Sequence, residues 1–346
     1  MRKIVLLCMA TTVFACTMAQ DPTMKEIQGA TEKKTKFDSI STKWVSGGVF
    51  SLNLGQGGSR NWAAGAEKFS FSIASYLSVF ANKKFGNYSW RNTLDLGFAM
   101  VNASSTGVRK TDDKIDLFTK FTRDLSTTTS VGLVGSLRTQ FTPGYDYDYL
   151  GKGLQRRTSD FFAPAYAVIA PGIDWHPKSY FSVFVSPLSA RFVIVTNEPK
   201  SYYYQGGVIP TTPEAYEMPL AALYGVDPAR GVRNEIGGFL SANFGMEIFK
   251  NVTYKTRTDL FSNYTKTYRF TPTGPDELLI TEVSPKPQNI DVFWTNIILM
   301  KVNKWLGVSY NFDLIYDDDV RQFGPDKTSA ATQMRSMLGI GVSAAF

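Results

Sequence analysis

Met334-Arg335-Ser336-Met337-Leu338-Gly339-Ile340-Gly341-Val342-Ser343-Ala344-Ala345-Phe346 closes the chain. Taken by twos, Met334, Leu338, Ile340, Val342, Ala344 and Phe346 form an apolar row. The residues between them, Arg335, Met337, Gly339, Gly341, Ser343 and Ala345, are mostly small or polar. Side chains of a strand alternate between its two faces, so this segment has one oily face and one small or polar face. Ending on an aromatic residue, it reads as the last strand of a transmembrane β-barrel, with the oily face toward lipid.

The same pattern recurs toward the amino terminus. Phe50, Leu52 and Leu54 alternate with Ser51 and Asn53, and Phe69, Phe71, Ile73, Leu77 and Val79 with Ser70, Ser72, Ala74 and Ser78. Trp90, Leu94, Leu96, Phe98 and Met100 face away from Arg91, Thr93, Asp95 and Gly97. Ile115, Leu117 and Phe121 oppose Asp116, Lys120 and Thr122, and Val131, Leu133, Leu137 and Phe141 oppose Ser136, Arg138 and Gln140. Strands near 163–174 and 180–195 contain Pro171 and Pro187; proline cannot donate to a ladder, so bulges or bends are expected there. Ile236, Leu240, Phe244, Met246 and Ile248 then oppose Glu235, Ser241, Asn243 and Glu247, with Phe239 breaking the rule. Val252, Tyr254 and Leu260 oppose Lys255, Arg257 and Asp259, a strand spans about 289–303, and Val308, Tyr310, Phe312 and Leu314 oppose Ser309, Asn311 and Asp313. With the closing run this makes about twelve strands.

The connections argue for the architecture. Those after even strands are short (82–87, 123–128, 175–179, 249–251 and 303–306), while those after odd strands are mostly long, above all 196–233 and 264–288. Short turns at one end and long loops at the other are the signature of an outer-membrane barrel, with both termini in the periplasm. Hydrocarbon offers backbone amides no water, so a spanning sheet has to close on itself. Trp44, Tyr88, Trp175, Tyr180, Tyr264, Trp305 and Tyr316 fall near strand ends, where interfacial aromatics belong. A soluble sandwich or lipocalin-like barrel also alternates, but with its apolar face inward; a secretory leader and the link pattern weigh against it.

That leader is residues 1–19: Arg2 and Lys3, an apolar core from Ile4 to Phe14, and a small-x-small site at Thr17-Met18-Ala19. Lipidation at Cys16 is the alternative, poorly suited by Phe14. Residues 20–42 are a polar lead-in and 43–346 the barrel. Both cysteines, Cys8 and Cys16, lie in the leader, so the mature chain has neither disulfide nor thiolate chemistry. The formal net charge of +7 falls once Arg2 and Lys3 are removed, and no Lys/Arg cluster is dense enough for nucleic acid.

Asn61-Trp62-Ala63-Ala64-Gly65, Arg109-Lys110-Thr111-Asp112-Asp113, Pro143-Gly144-Tyr145, Phe162-Ala163-Pro164-Ala165-Tyr166, Ser186-Pro187-Leu188 and Asn311 to Asp319 occur in this order over most of the mature chain. In these blocks it resembles a Bacteroidota family known as domain of unknown function 3078. The resemblance implies a Gram-negative outer-membrane β-barrel and brings no catalytic residue and no activity.

Candidate sites follow from the register. Arg91, Asp95, Asp116, Lys120, Arg138, Glu235, Glu247, Lys255, Arg257, Asp259 and Asp313 are expected to face the lumen; near mid-membrane a lipid-facing Lys or Arg would cost about 2–4 kcal/mol. With both signs present, they line a narrow water-filled pore or neutralise one another and plug it. Asn61 and Trp62 are candidates for a constriction, against an interfacial Trp beside a turn. Arg109, Lys110, Asp112 and Asp113 read first as a salt-bridged loop base, then as a cation or lipopolysaccharide contact. Asp317, Asp318 and Asp319 are a weak hard-cation candidate without calcium-loop spacing; no other metal and no cofactor is expected. The one histidine, His176, falls in a short turn and serves no external active site. Phe346 is expected to act as an assembly signal. The tyrosine- and proline-rich stretch 197–233 packs on itself or meets sugars or partners.

The leading expectation is a passive channel for small solutes with a mixed-charge lumen, and not an enzyme. A non-conducting barrel serving as a structural or binding partner is the alternative, and a lipid-modifying enzyme a less favoured third. Expected partners are outer-membrane lipids and lipopolysaccharide, the outer-membrane assembly machinery and envelope proteins.

Overall fold

The computed structural model describes residues 43–60, 67–151, 153–196, 202–210, 212, 214–303, 305–325 and 327–345. The leader, the lead-in, Asn61, Trp62 and Phe346 lie outside them.

Sixteen strands form in chain order. They are β1 (Val45–Gly58), β2 (Phe69–Phe85), β3 (Tyr88–Ala103), β4 (Gly107–Asp124), β5 (Thr129–Thr139), β6 (Gly144–Asp146), β7 (Arg156–Ser159) and β8 (Ala165–Lys178). β9 (Phe181–Ile194), β10 (Val232–Phe249), β11 (Val252–Asn263), β12 (Thr267–Gly274), β13 (Glu277–Val283), β14 (Ile290–Lys301), β15 (Leu306–Tyr316) and β16 (Gln333–Ala345) follow. Twelve of them close into one ring, β1-β16-β15-β14-β11-β10-β9-β8-β5-β4-β3-β2, antiparallel throughout. Pairs β6–β7 and β12–β13 are separate hairpins inside the two connections that join β5 to β8 and β11 to β14. The 264–288 stretch, expected as a loop, thus carries a hairpin, turned at Gly274-Pro275-Asp276-Glu277.

All five connections after even-numbered strands of the ring are tight, and β1 begins and β16 ends at that same end of the barrel. We call it the turn end and the other the loop end. At the seam, among the described residues, Val49–Asn53 of β1 pair with Gly341–Ala345 of β16, whereas β1 pairs with β2 from Val45 to Gly58. A Cβ at Gly341 would lie 2.0 Å from the Leu52 carbonyl oxygen, so only glycine admits this approach.

The wall is apolar outside. Leu133, Ile169, Ile173, Leu338 and Ile340 stand exposed on it. Aromatics gather at its turn end: Trp44 packs 5.5 Å from Trp90, Tyr88 stacks on Phe85 and Phe121, and Trp175 meets Phe181 edge-on. A closed sheet with an oily exterior and buried charge is a transmembrane β-barrel, the reverse of a soluble barrel's polarity.

The bulge expected at Pro187 is present. Gly237 and Phe239 of β10 pair with Ser189 and Ser186 of β9, so β9 carries one extra residue there. Its inward set changes from Ser182, Phe184 and Ser186 to Ser189, Arg191 and Val193. β8 shifts register against β9 between Ile169 and Ile173, around Pro171.

Candidate functional site

The lumen has three tiers. At mid-height the inward residues of β4, β5 and β11 meet across it. Asp116 accepts from Arg138 Nε at 3.1 Å and from Arg257 Nη2 at 2.6 Å. Arg138 also bonds Asp259, whose second partners are the Ser241 hydroxyl at 2.6 Å and Arg257 Nε at 3.1 Å. Two cations and two carboxylates thus form a neutral waist. Register continues the line round the wall: Arg257 pairs with Thr295, Thr295 with Asp313, and Asp313 with Arg335. Arg335 holds Asp313 and reaches over to Asp112 on β4, while Lys114 comes from β4 to Asp313 at 3.2 Å. The Arg335–Asp112, Lys114–Asp313, Arg138–Asp259 and Arg257–Asp116 pairs span four or five places in a ring of twelve, so they cross the lumen rather than run along the wall.

Beside the waist is an apolar patch. Phe118, Val134, Val168, Ala170, Phe184, Phe239 and Phe261 form one buried cluster on inward positions. This is why Phe239 departs from the outward apolar row of β10. The rings also receive the cations: Arg257 lies 5.0 Å over Phe118 and Arg191 lies 4.1 Å over Phe261.

The loop-end tier is more tightly sealed. Arg191, 1 % exposed, donates to Glu235 and lies 2.6 Å from Asp291. Arg233 pairs with Glu235 at 3.3 Å and with Asp319 at 3.2 Å. Asn263 donates to the other Glu235 oxygen. Asp317 is buried beside Asp291, and burial with that neighbouring carboxylate pushes its pKa up to about 8. Over this layer lies a cap from the 202–231 connection, whose one-turn helix α1 (Leu220–Leu223) packs with Met218, Tyr224 and Val226 against Val193, Val195, Phe270 and Val320. Gly225, at φ +65°, is the close approach: a Cβ there would meet the Arg233 guanidinium at 2.2 Å. Within the cap, Glu217 accepts from the backbone N–H groups of Tyr203 and Tyr204, and burial raises its pKa. The self-packing expected of this stretch is therefore found.

Below the waist the lumen opens to the turn end as a cavity of about 770 Å3, reaching from Ser126 and Lys178 up to Asp116, Phe118 and Arg257. Here Lys120 bonds Asp174 at 2.7 Å, His176 Nδ1 sits 3.4 Å from the other oxygen of Asp174, and Lys84 pairs with Asp124 at 3.2 Å. Asp95 accepts from the Tyr76 hydroxyl at 3.0 Å. Arg91 and Lys255 line the same space.

Ten of the eleven expected lumen residues thus belong to these tiers; Glu247 instead caps the β10–β11 turn, accepting from the Asn251 N–H at 2.8 Å. The four residues expected at a loop base separate. Asp112 joins the lumen network. Asp113 ties Lys110 and the backbone N–H groups of Phe141 and Thr142, and Arg109 lies 4.3 Å over Tyr147. Asp317, Asp318 and Asp319 diverge: Asp318 turns to Asn289 and Asp319 to Arg233. Among the described residues no group of three His, Asp or Glu side chains is placed to hold a metal.

Arg191, Arg233, Asp291, Asp174, Lys114 and Arg335 were not singled out from sequence. Arg335 was legible, standing on the polar face of the terminal run. Arg191 was hidden because the bulge at Pro187 inverts the alternation that would have found it.

A family model described as "Protein of unknown function (DUF3078)" matches residues 54–145, from the end of β1 through β6. No curated protein matches the chain. Among solved structures, the chain is similar to an outer membrane channel from Pseudomonas putida F1, with a TM-score of 0.36, 8% identity and coverage of 90% of this chain and 98% of that one. It is similar to the NanC porin at a TM-score of 0.34, 8% identity and 85% and 98% coverage. It is also similar to the translocator domain of the autotransporter NalP from Neisseria meningitidis at a TM-score of 0.33, 10% identity and 94% and 97% coverage.

Proposed function

We propose that this chain is a Gram-negative outer-membrane channel for small solutes, closed at rest, with turns and termini in the periplasm and the capped end outside. The observation that carries the reading is how the lumen is shut. A cavity of about 770 Å3 runs up from the turn end and stops at a waist made of side chains, above which the loop-end ion pairs and the cap form a second closure that has to part as well. Side chains rotate out of a path far more readily than a folded segment leaves it. Desolvation offsets much of the attraction in a buried ion pair, so rehydrating Arg138, Arg257, Asp116 and Asp259 returns much of what parting them costs. A closed and an open waist then lie within a few kcal/mol, the range in which a minor state is populated.

Planar-bilayer recording tests this. The native protein should give rare, small conductance steps, and the double variant Arg138→Ala/Arg257→Ala frequent and larger ones. Silence from both, with folding verified by heat-shifted gel mobility, would exclude the channel.

One observation favours a second reading, a non-conducting barrel that binds envelope partners: the loop end has its own apolar core under the cap. Neither reading contains a chemical step, and His176 is committed to Asp174 at the turn end. The wall would meet outer-membrane lipids and lipopolysaccharide, and the assembly machinery would read the strand ending in Phe346.

A further inference from the structure

We propose that the outer wall at the turn end holds an anionic glycerophospholipid, gripped at its phosphodiester by Lys83 and Arg123. Alternation places both side chains on lipid-facing rows. Lys83 lies two residues from Phe85 on β2 and pairs with Trp90, and Arg123 lies two residues from Phe121 on β4 and pairs with Tyr88. Along the turn-end half of the ring, among the described residues, the outward rows of the other strands carry no lysine or arginine. A cation beside hydrocarbon is costly, so two in one place call for a reason.

The floor beneath them is aromatic. Trp44 and Trp90 pack 5.5 Å apart, and Phe85, Tyr88 and Phe121 cluster at 5.7–6.3 Å. Lys83 Nζ lies 5.8 Å over Trp44 and 5.9 Å over Phe85, and the Arg123 guanidinium lies 6.0 Å over Tyr88. The other cation–ring contacts of the described residues are in the lumen or at the loop end. Rings of this kind settle at the membrane interface, and long basic side chains reach from there to the headgroups.

Neither cation has an acceptor of its own. Among the described residues no carboxylate lies within ion-pair distance of either, and neither makes a side-chain hydrogen bond. The carboxylate next in sequence, Asp124, points to the lumen, where Lys84 at 3.2 Å and the Ser130 hydroxyl at 2.8 Å occupy it. Polar groups on the same outer face are satisfied on the wall: Trp90 Nε1 donates to Thr119, Thr119 to Asn92 Oδ1, and Asn92 Nδ2 to the Ala81 carbonyl. What stays open is positive charge, on strands two spacings or about 10 Å apart. A phosphodiester supplies the missing acceptors in charge-assisted bonds. Above it Val79, Leu94 and Leu117 are register partners in one outward row, an apolar wall for the acyl chains. A headgroup with its own amine would bring a cation to the same place, so a lipid of net negative charge is preferred.

The inference rests on the reading that this wall meets membrane lipid, and it is independent of conductance. The test puts the folded full-length barrel in phosphatidylcholine vesicles with a minor fraction of phosphatidylglycerol carrying brominated chains, which quench the tryptophans they touch, Trp44 and Trp90 among them. The reverse mixture, brominated phosphatidylcholine in phosphatidylglycerol, is the reference. The native barrel should favour phosphatidylglycerol at least two-fold. Lys83→Gln/Arg123→Gln should bring the ratio near one, and Lys83→Arg/Arg123→Lys should keep it. Lys250→Gln, in the β10–β11 turn at the same end, should leave it unchanged. The native ratio and the charge-keeping variant keep the test open should the double glutamine variant not fold. Equal quenching by the two lipids in the native barrel, or a preference that survives the double glutamine variant, would overturn the proposal. Quenching by neither lipid would instead remove the lipid-facing wall on which it rests.

Discussion

Replacing Arg191 with methionine tests whether the loop end of the lumen is dry. The guanidinium is 1 % exposed, donates to Glu235, lies 2.6 Å from Asp291 and stacks 4.1 Å over Phe261. Methionine retains much of the stem and removes the charge. Glu235 then keeps its pair with Arg233, which is shared with Asp319, and Asp291 stays buried without its ion pair to residue 191. Breaking a buried pair by removing one partner costs about 3–5 kcal/mol, and losing the ring contact adds about 1 kcal/mol. The sum, about 4–6 kcal/mol, is a shift of roughly a thousand-fold or more in the folding equilibrium. Urea unfolding of the barrel in thin-bilayer vesicles, followed by tryptophan fluorescence, gives the difference. The triple variant Arg191→Met/Glu235→Gln/Asp291→Asn removes the stranded charges and should recover most of the loss. A cost below about 1 kcal/mol for Arg191→Met alone would mean that water reaches these carboxylates and that the cap does not seal the mouth.

Asp317 gives a pH dependence. Its folded pKa is raised to about 8 by burial and by Asp291, so the folded protein holds a proton that the unfolded chain releases near the ordinary carboxylate value. The sign follows: stability from this group is full at acid pH, falls as pH rises toward 8 and is flat above it. The groups facing it are Asp291, Asp319, Arg191, Arg233 and Tyr166. Asp317→Asn should flatten the slope of the unfolding midpoint between about pH 5 and 8, and an unchanged slope would refute the assignment. On the outer wall, Leu133→Arg places a cation at a 45 % exposed lipid-facing site. It should cost about 2–4 kcal/mol, measured by the same unfolding, and a neutral effect would mean that this face does not meet hydrocarbon.

Alternation made the ring legible, because a one-residue error anywhere turns charge outward and the cost of that fixes the register. The unequal connections gave the two ends for the same reason: turns need few residues and loops admit many. The paired state of the lumen was not legible. Arg138 and Asp259 are 121 residues apart, and their meeting depends on ring size and stagger, which no local pattern carries. Apart from Phe239, the apolar residues facing inward were not singled out, for a related reason. The rule that lumen residues are polar holds where water fills the lumen, and beside Phe184 and Phe261 side chains fill it instead. The 197–233 stretch was read as packing on itself or meeting sugars or partners, and its packing on the barrel was not legible, since the cap's core forms with Val193 and Phe270, which the sequence places in distant segments.

The seam between β1 and β16 bears on how the ring comes to exist. Neighbours made by a hairpin turn can zip outward from that turn, but β1 and β16 begin nearly 300 residues apart and are joined, among the described residues, by five residue pairs. Closing a loop of that length costs more chain entropy than closing any hairpin turn of the ring. The remaining eleven pairings therefore form a curled sheet first, and the cylinder is completed by a short clasp at its periphery. The same brevity makes this clasp the line along which the cylinder would part sideways into the bilayer, leaving every other pairing intact.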